Sequence, residues 1–285
     1  MHAQQYALAL AALLPYVSAH GVITCIYGAN GVTMPGLTVV DGTPRDCTTP
    51  DCGAQSDTAI YRGTNPLGML LSGKNVDPSI NFKMFMFGND TDTFNGDDNG
   101  APDSNNASGS ENPAENGNSD DPAGIKTPYG TKETMVRDTA GDGKSSGLPT
   151  PDRYGLVTLS VHQVNGDGAG PFTAFIDSTS GGLTAAAFKT APVVQNVAGV
   201  ASNSATTTTD FPMMVQVPKG TVCSGTIAGV NNVCILKITN AAANGPFGGS
   251  VAFTQSSKQR KRAVDYNRMI KRSRIAARAV YADEE

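Results

Sequence analysis

The chain has 285 residues, a formal net charge of −4, 16% charged residues, three histidines and no tryptophan. With 39% apolar residues and 32 glycines, it has the ordinary make-up of a folded protein, which excludes wholesale disorder, and its low charge excludes a helix-rich, salt-bridge-laced one. The length suits one large domain or two small ones, and histidine chemistry has at most three addresses.

Residues 6–14 (YALALAALL) form a short apolar run, followed by Pro15 and then Val17-Ser18-Ala19. A small-residue ending of this kind predicts a signal peptide over 1–19, cut between Ala19 and His20. The run is too short to span a bilayer, and no later stretch reaches the about 18 apolar residues a span needs. A secreted, extracellular protein beginning at His20 is expected, with His2 lost and His20 and His162 retained. All five cysteines (Cys25, Cys47, Cys52, Cys223 and Cys234) would enter an oxidising compartment. Cys47/Cys52 and Cys223/Cys234 could each close a short loop and leave Cys25 over, although sequence does not fix the pairing. No CxxC pair points to structural zinc.

From residue 21 to 87, short apolar runs alternate with Gly, Pro, Asn and Asp. Residues 22–23, 37–40 (LTVV) and 82–87 (FKMFMF) read as strands or strand fragments. Residues 88–122 hold nine acidic residues and no basic one, so a long solvated insertion loop is expected. It carries two glycosylation sequons, at Asn89 and Asn106. Asn95, Asp97, Asn99 and Gly100 mimic a calcium loop, but the glutamate at its twelfth position is missing.

The second half is more regular. Residues 154–164 (YGLVTLSVHQV), 171–177, 211–217, 233–238 and 251–253 read as strands separated by Gly/Pro/Asn turns. The pattern predicts a mainly β, antiparallel β-sandwich domain over 20–256 with long loops. Only 182–188 and a short tail look capable of helix. The tail, 257–285, carries nine Lys/Arg against four Asp/Glu, whereas the rest carries twelve against twenty-one. Lys258-Gln259-Arg260-Lys261-Arg262 and Lys271-Arg272-Ser273-Arg274 look like processing sites of an exposed extension. Nucleic-acid binding does not suit so acidic a body.

A histidine at a mature N-terminus offers its α-amine and its ring to one metal. A second imidazole, here only His162, would complete a three-nitrogen site that suits copper. Both rings must be neutral to bind, so affinity should fall below the imidazole range. A lone strand histidine is more often a hydrogen-bonded structural residue, so the weight rests on the pair. The Gly166-x-Gly168-x-Gly170 run opens no phosphate-binding helix. No Ser-His-Asp set or catalytic carboxylate pair can be singled out.

Four segments carry a family resemblance: 19–24 (AHGVIT), 43–47 (TPRDC), 162–172 (HQVNGDGAGPF) and 245–249 (GPFGG). Together they resemble the MAS-type family of secreted fungal proteins associated with appressoria and host penetration. The resemblance implies cysteines near Ile238 and Ser250, which this chain lacks, and hence one disulfide fewer. That family is in turn similar to lytic polysaccharide monooxygenases. This second likeness implies an immunoglobulin-like sandwich and a copper histidine brace at His20 and His162; it leaves the axial position open, and Phe253, on the last strand, is the candidate for it. The likeness implies a monomeric virulence protein acting on a polysaccharide or cell-wall surface, either as an oxidative enzyme or as a non-enzymatic binder. Without tryptophan, Tyr27, Tyr61 or Tyr154 would have to serve as the stacking platform.

Overall fold

The computed structural model of the chain describes residues 20–88 and 124–282. The expected signal peptide 1–19 and the acidic segment from 89 on, with both sequons and the calcium-like spacing, lie outside the described residues.

Twelve described strands, numbered along the chain, form two six-stranded sheets in which every pair is antiparallel. The first sheet runs β2 (Thr33–Pro35), β1 (Gly21–Tyr27), β5 (Leu156–Gln163), β9 (Thr209–Gln216) and β4 (Ile125–Lys126), with β8 (Val193–Gln195) also on β9. The second runs β3 (Ala59–Ile60), β12 (Phe247–Phe253), β11 (Val230–Thr239), β6 (Thr173–Asp177) and β7 (Phe188–Ala191), with β10 (Gly225–Ile227) also on β11.

Alternation explains the layering. β9 buries Thr209, Phe211, Met213 and Val215 and half-exposes the residues between them, the pattern of a strand with one face on a core. Val157, Leu159 and Val161 of β5 meet Ile176, Leu236, Ile238 and Val251 of the second sheet in that core. The expected β-sandwich is therefore present. β5 departs from alternation at one end, being buried without a break from Leu159 to Gln163. Something covers both faces there.

Two expected strands are not strands. Residues 82–87 fall in helix α1 (Ser79–Phe87), which buries Phe82, Phe85 and Met86. That three-and-four spacing is helical, and a short apolar run cannot by itself tell helix from strand. Residues 37–40 form a turn instead. Asn81 Nδ2 pins it, donating to the carbonyls of Gly36 (2.8 Å) and Val39 (2.7 Å). Short helices α2 (Met135–Asp138) and α3 (Gly143–Ser146) pack near α1. Residues 182–188 supply only a single 3-10 turn, at Ala185–Ala187. The tail is longer as a helix than expected, with α4 covering Ser257–Ala282, 26 residues. Among the described residues no helix is long and apolar enough to cross a membrane.

Disulfides join Cys47 to Cys52 and Cys223 to Cys234, and Cys25 is a buried free thiol, which is the pairing the loop lengths suggested.

Candidate metal centre

His20 and His162 arrive at the same end of the sandwich through strand register. Gly21 pairs with Gln163 and Val22 with His162 across β1 and β5. The carbonyl of His20 accepts a hydrogen bond from Val164 N–H at 2.9 Å. Val161 points into the core, so His162 points to the outer face, where its cross-strand neighbour on β9 is Asp210. His162 Nδ1 lies 2.9 Å from Asp210 Oδ1, and the histidine side chain is 0% exposed. A carboxylate only accepts, so Nδ1 carries a hydrogen, and in the neutral ring Nε2 is the nitrogen that keeps a lone pair. Nε2 is buried and has no hydrogen-bond partner among the described residues. Thr127 Oγ1 approaches the other Asp210 oxygen at 3.4 Å.

His20 is itself 2% exposed. Its main-chain nitrogen donates to Asn165 Oδ1 at 2.8 Å, and its ring meets the Phe247 ring at a centroid distance of 4.8 Å. The glycines of the 166–170 turn serve packing. A Cβ on Gly168 would stand 2.1 Å from the His20 carbonyl oxygen, and one on Gly170 would stand 1.9 Å from that of Val197. The turn is the seat on which residue 20 lies. Asn240 Nδ2 pins it from the second sheet, donating to the carbonyls of Asp167 (2.8 Å) and Ala169 (3.2 Å).

The 43–58 loop and the 127–138 stretch adjoin this end, Asn165 Nδ2 donating to the Thr48 carbonyl and Thr127 Oγ1 to Asp210 Oδ2, each at 3.4 Å. Arg45 holds both: it forks onto Asp57 (Nη2–Oδ2 2.6 Å, Nη1–Oδ1 3.1 Å) and reaches Glu133 Oε2 from Nη2 at 2.7 Å. All three residues are buried. Burial works against the Arg45 charge, but the facing carboxylates of Asp57 and Glu133 more than offset it, so the guanidinium is held protonated well beyond its ordinary range. Beneath lie Cys25, Tyr27 and Ser160 on the same outer face. Burial pushes the Cys25 thiol up to about 12, and burial also raises the Tyr27 hydroxyl.

The four segments that carry the family resemblance therefore meet at one place. Residues 20–24 supply His20, 162–172 supply His162, Asn165 and the glycine seat, 245–249 supply Phe247, and 43–47 supply Arg45. Sequence reasoning missed Asp210, Asn165 and Phe247 as functional neighbours. Only the last two had a signal, their place inside a quoted motif.

Phe253, the candidate axial residue, stands elsewhere. It ends β12 opposite Cys234, six residues and roughly 20 Å of strand from Phe247. The aromatic ring beside His20 is Phe247. Of the tyrosines, Tyr27 is mostly covered and Tyr61 donates its hydroxyl to the Gly249 carbonyl at 3.1 Å. Tyr154 precedes β5 and lies at the opposite end from His162. The exposed ring nearer the histidines is Tyr129, 98% exposed and two residues from Thr127. Among the described residues no group of three or more His, Cys, Asp or Glu side chains is placed to hold a metal. A metal here would depend on two imidazoles and one main-chain nitrogen. The donor types fit copper, and the unused His162 Nε2 is the atom that fits best.

The Egh16-like virulence factor model matches residues 18–248, most of the chain, with three of the four motifs whole and the fourth up to its last residue. The chain belongs to this family. It is 47% identical over 283 residues to the appressoria-specific virulence factor GAS2 of Pyricularia oryzae, covering 94% of this chain and 93% of that protein. It is 31% identical over 251 residues to the appressoria-specific virulence factor GAS1 of the same fungus, covering 87% and 77%. No solved structure matches. The family resemblance thus holds, and this Egh16-like protein is a fungal virulence-associated protein.

Proposed function

We propose that this Egh16-like protein is secreted, begins at His20, and binds copper through the His20 amine and ring together with His162 Nε2 while acting at the cell wall or host surface. The carrying observation is His162, whose Nδ1 is held by Asp210 and whose Nε2 is buried without a partner among the described residues. A buried polar atom left so is costly unless something uses it. Asp210 fixes the orientation of the ring, and Phe247 packs beside His20. Copper, when bound, would supply activation of oxygen or peroxide for oxidative attack on a polysaccharide. Copper titration of protein starting at His20, with His162→Ala beside it, tests the reading. Equal affinity in the two would end it.

The burial of both rings favours a second reading of the same site. A polymer cannot touch the buried His20 or His162 in this conformation, which suits a non-enzymatic wall- or host-surface-binding protein. An assay for oxidised products on chitin, cellulose and pectin separates the two.

A further inference from the structure

The opposite end of the sandwich holds a groove of about 760 Å³ between helix α4 and the body. Its lining includes three cations, Arg153, Lys219 and Arg262, and no carboxylate, although the chain outside the tail is acidic. None of the three forms an ion pair among the described residues. The nearby Asp152 carboxylate is already used, accepting from the N–H groups of Tyr154 and Leu156 at 2.8 Å each. Tyr154, 67% exposed, lies along the groove with the Arg153 guanidinium 4.7 Å from its ring centroid.

The walls are pinned together. Gln259 Nε2 donates to the carbonyls of Pro151 (2.7 Å) and Asp152 (2.8 Å), and Asn267 Nδ2 to that of Gly220 (2.8 Å). Arg260 reaches the Cys223 carbonyl. The groove is therefore preformed, and a ligand need not order it. Its volume is that of an ordinary small-ligand cleft.

We propose that this groove binds a segment of anionic polysaccharide, a run of uronate sugars. Each uronate unit offers one carboxylate to a cation and one flat, C–H-lined sugar face to a tyrosine ring. A bilayer is too flat to enter the groove, and an acidic polypeptide has carboxylates but no rigid face for Tyr154. The proposal gives the wall-binding reading a location and needs no metal, so a failed copper titration leaves it standing.

The test is calorimetric titration of the full chain from His20 with an oligogalacturonate of about six units, long enough to run through the groove and past its ends. The fully methyl-esterified oligomer and polyglutamate run beside it. Measurable binding of the uronate oligomer is expected, about tenfold weaker for the ester, for polyglutamate and for Tyr154→Ala or Arg153→Gln/Arg262→Gln. Lys219→Gln, whose side chain makes no hydrogen bond among those described, gives the same readout if the Arg pair destabilises the fold. Thermal midpoints of all variants are measured alongside. No binding, equal binding of ester or polyglutamate, or undiminished affinity in the folded variants would each overturn the proposal.

Discussion

His162 and Asp210 face each other across β5 and β9, with Nδ1 and Oδ1 2.9 Å apart. The carboxylate decides which ring nitrogen carries hydrogen and which is left to donate. Asp210→Asn keeps the shape but can present its amide N–H to Nδ1, turning the hydrogen toward Nε2. Copper affinity of protein starting at His20 should then fall by about 10–100-fold, the usual cost of losing such an outer partner. Unchanged affinity would mean that Asp210 only fills space.

The Arg45 triad ties together the two segments that adjoin the histidine end. Removing the guanidinium leaves Asp57 and Glu133 buried without a counter-charge, a loss of about 3–5 kcal/mol. Arg45→Met should lower the denaturant midpoint accordingly. Arg45→Lys should recover only part, because an ammonium cannot fork onto Asp57 and reach Glu133 together. Urea unfolding of the three proteins measures the ordering.

Much of this is legible in the residues alone. Alternation marks β5, short apolar runs between turns mark β9 and β11, and the short loops suggest both disulfides. The histidine pair emerged because only two histidines follow residue 19. Asp210 was not legible, since its role depends on β9 lying beside β5 in one register, a pairing across 48 residues that no local pattern specifies. Phe253 is on the last strand, but the strand's direction puts Phe247 at the histidine end. Residues 82–87 misled because Phe-x-x-Phe-x-Phe serves both periods, and packing against the 36–39 turn selects the helix.

Cys25 is the odd cysteine, and burial holds its thiol near 12. At pH 8 it is therefore almost wholly protonated and shielded from reagent. Native protein should show no rapid thiol titre with a maleimide. Under denaturant without reductant, one thiol per chain should react, and five should after reduction. A fast native thiol would contradict both the burial and the disulfide pairing.

Asp177 sets an acid limit on the β6 turn. Burial pushes its carboxyl up, but Ser180 Oγ and the N–H groups of Ser180, Thr179 and Gly182 together outweigh it and hold it below the usual range. A depressed folded value means that the stabilisation is present above the unfolded value of about 3.9. It is lost as pH falls through the folded value. Asp177→Asn should be less stable at pH 7, and the deficit should shrink toward pH 2. Thermal midpoints over that range give the comparison.

Among the residues whose side chains are described, helix α4 is attached along its first half. Gln259, Arg260, Arg262 and Asn267 bond to the body and Ala263 is buried. Residues 271–275 are exposed throughout. An exposed helical stretch of this kind is marginal in water and frays, so the Lys271-Arg272 pair should be cut before Lys261-Arg262, whose cleavage must first break the docked turn. Brief trypsin treatment followed by intact-mass measurement should show loss of the segment after 272 first. A chain ending at Arg272 should match the full-length thermal midpoint. One ending at Gln255 should lose about 2–4 kcal/mol, the worth of a few buried hydrogen bonds and one packed turn.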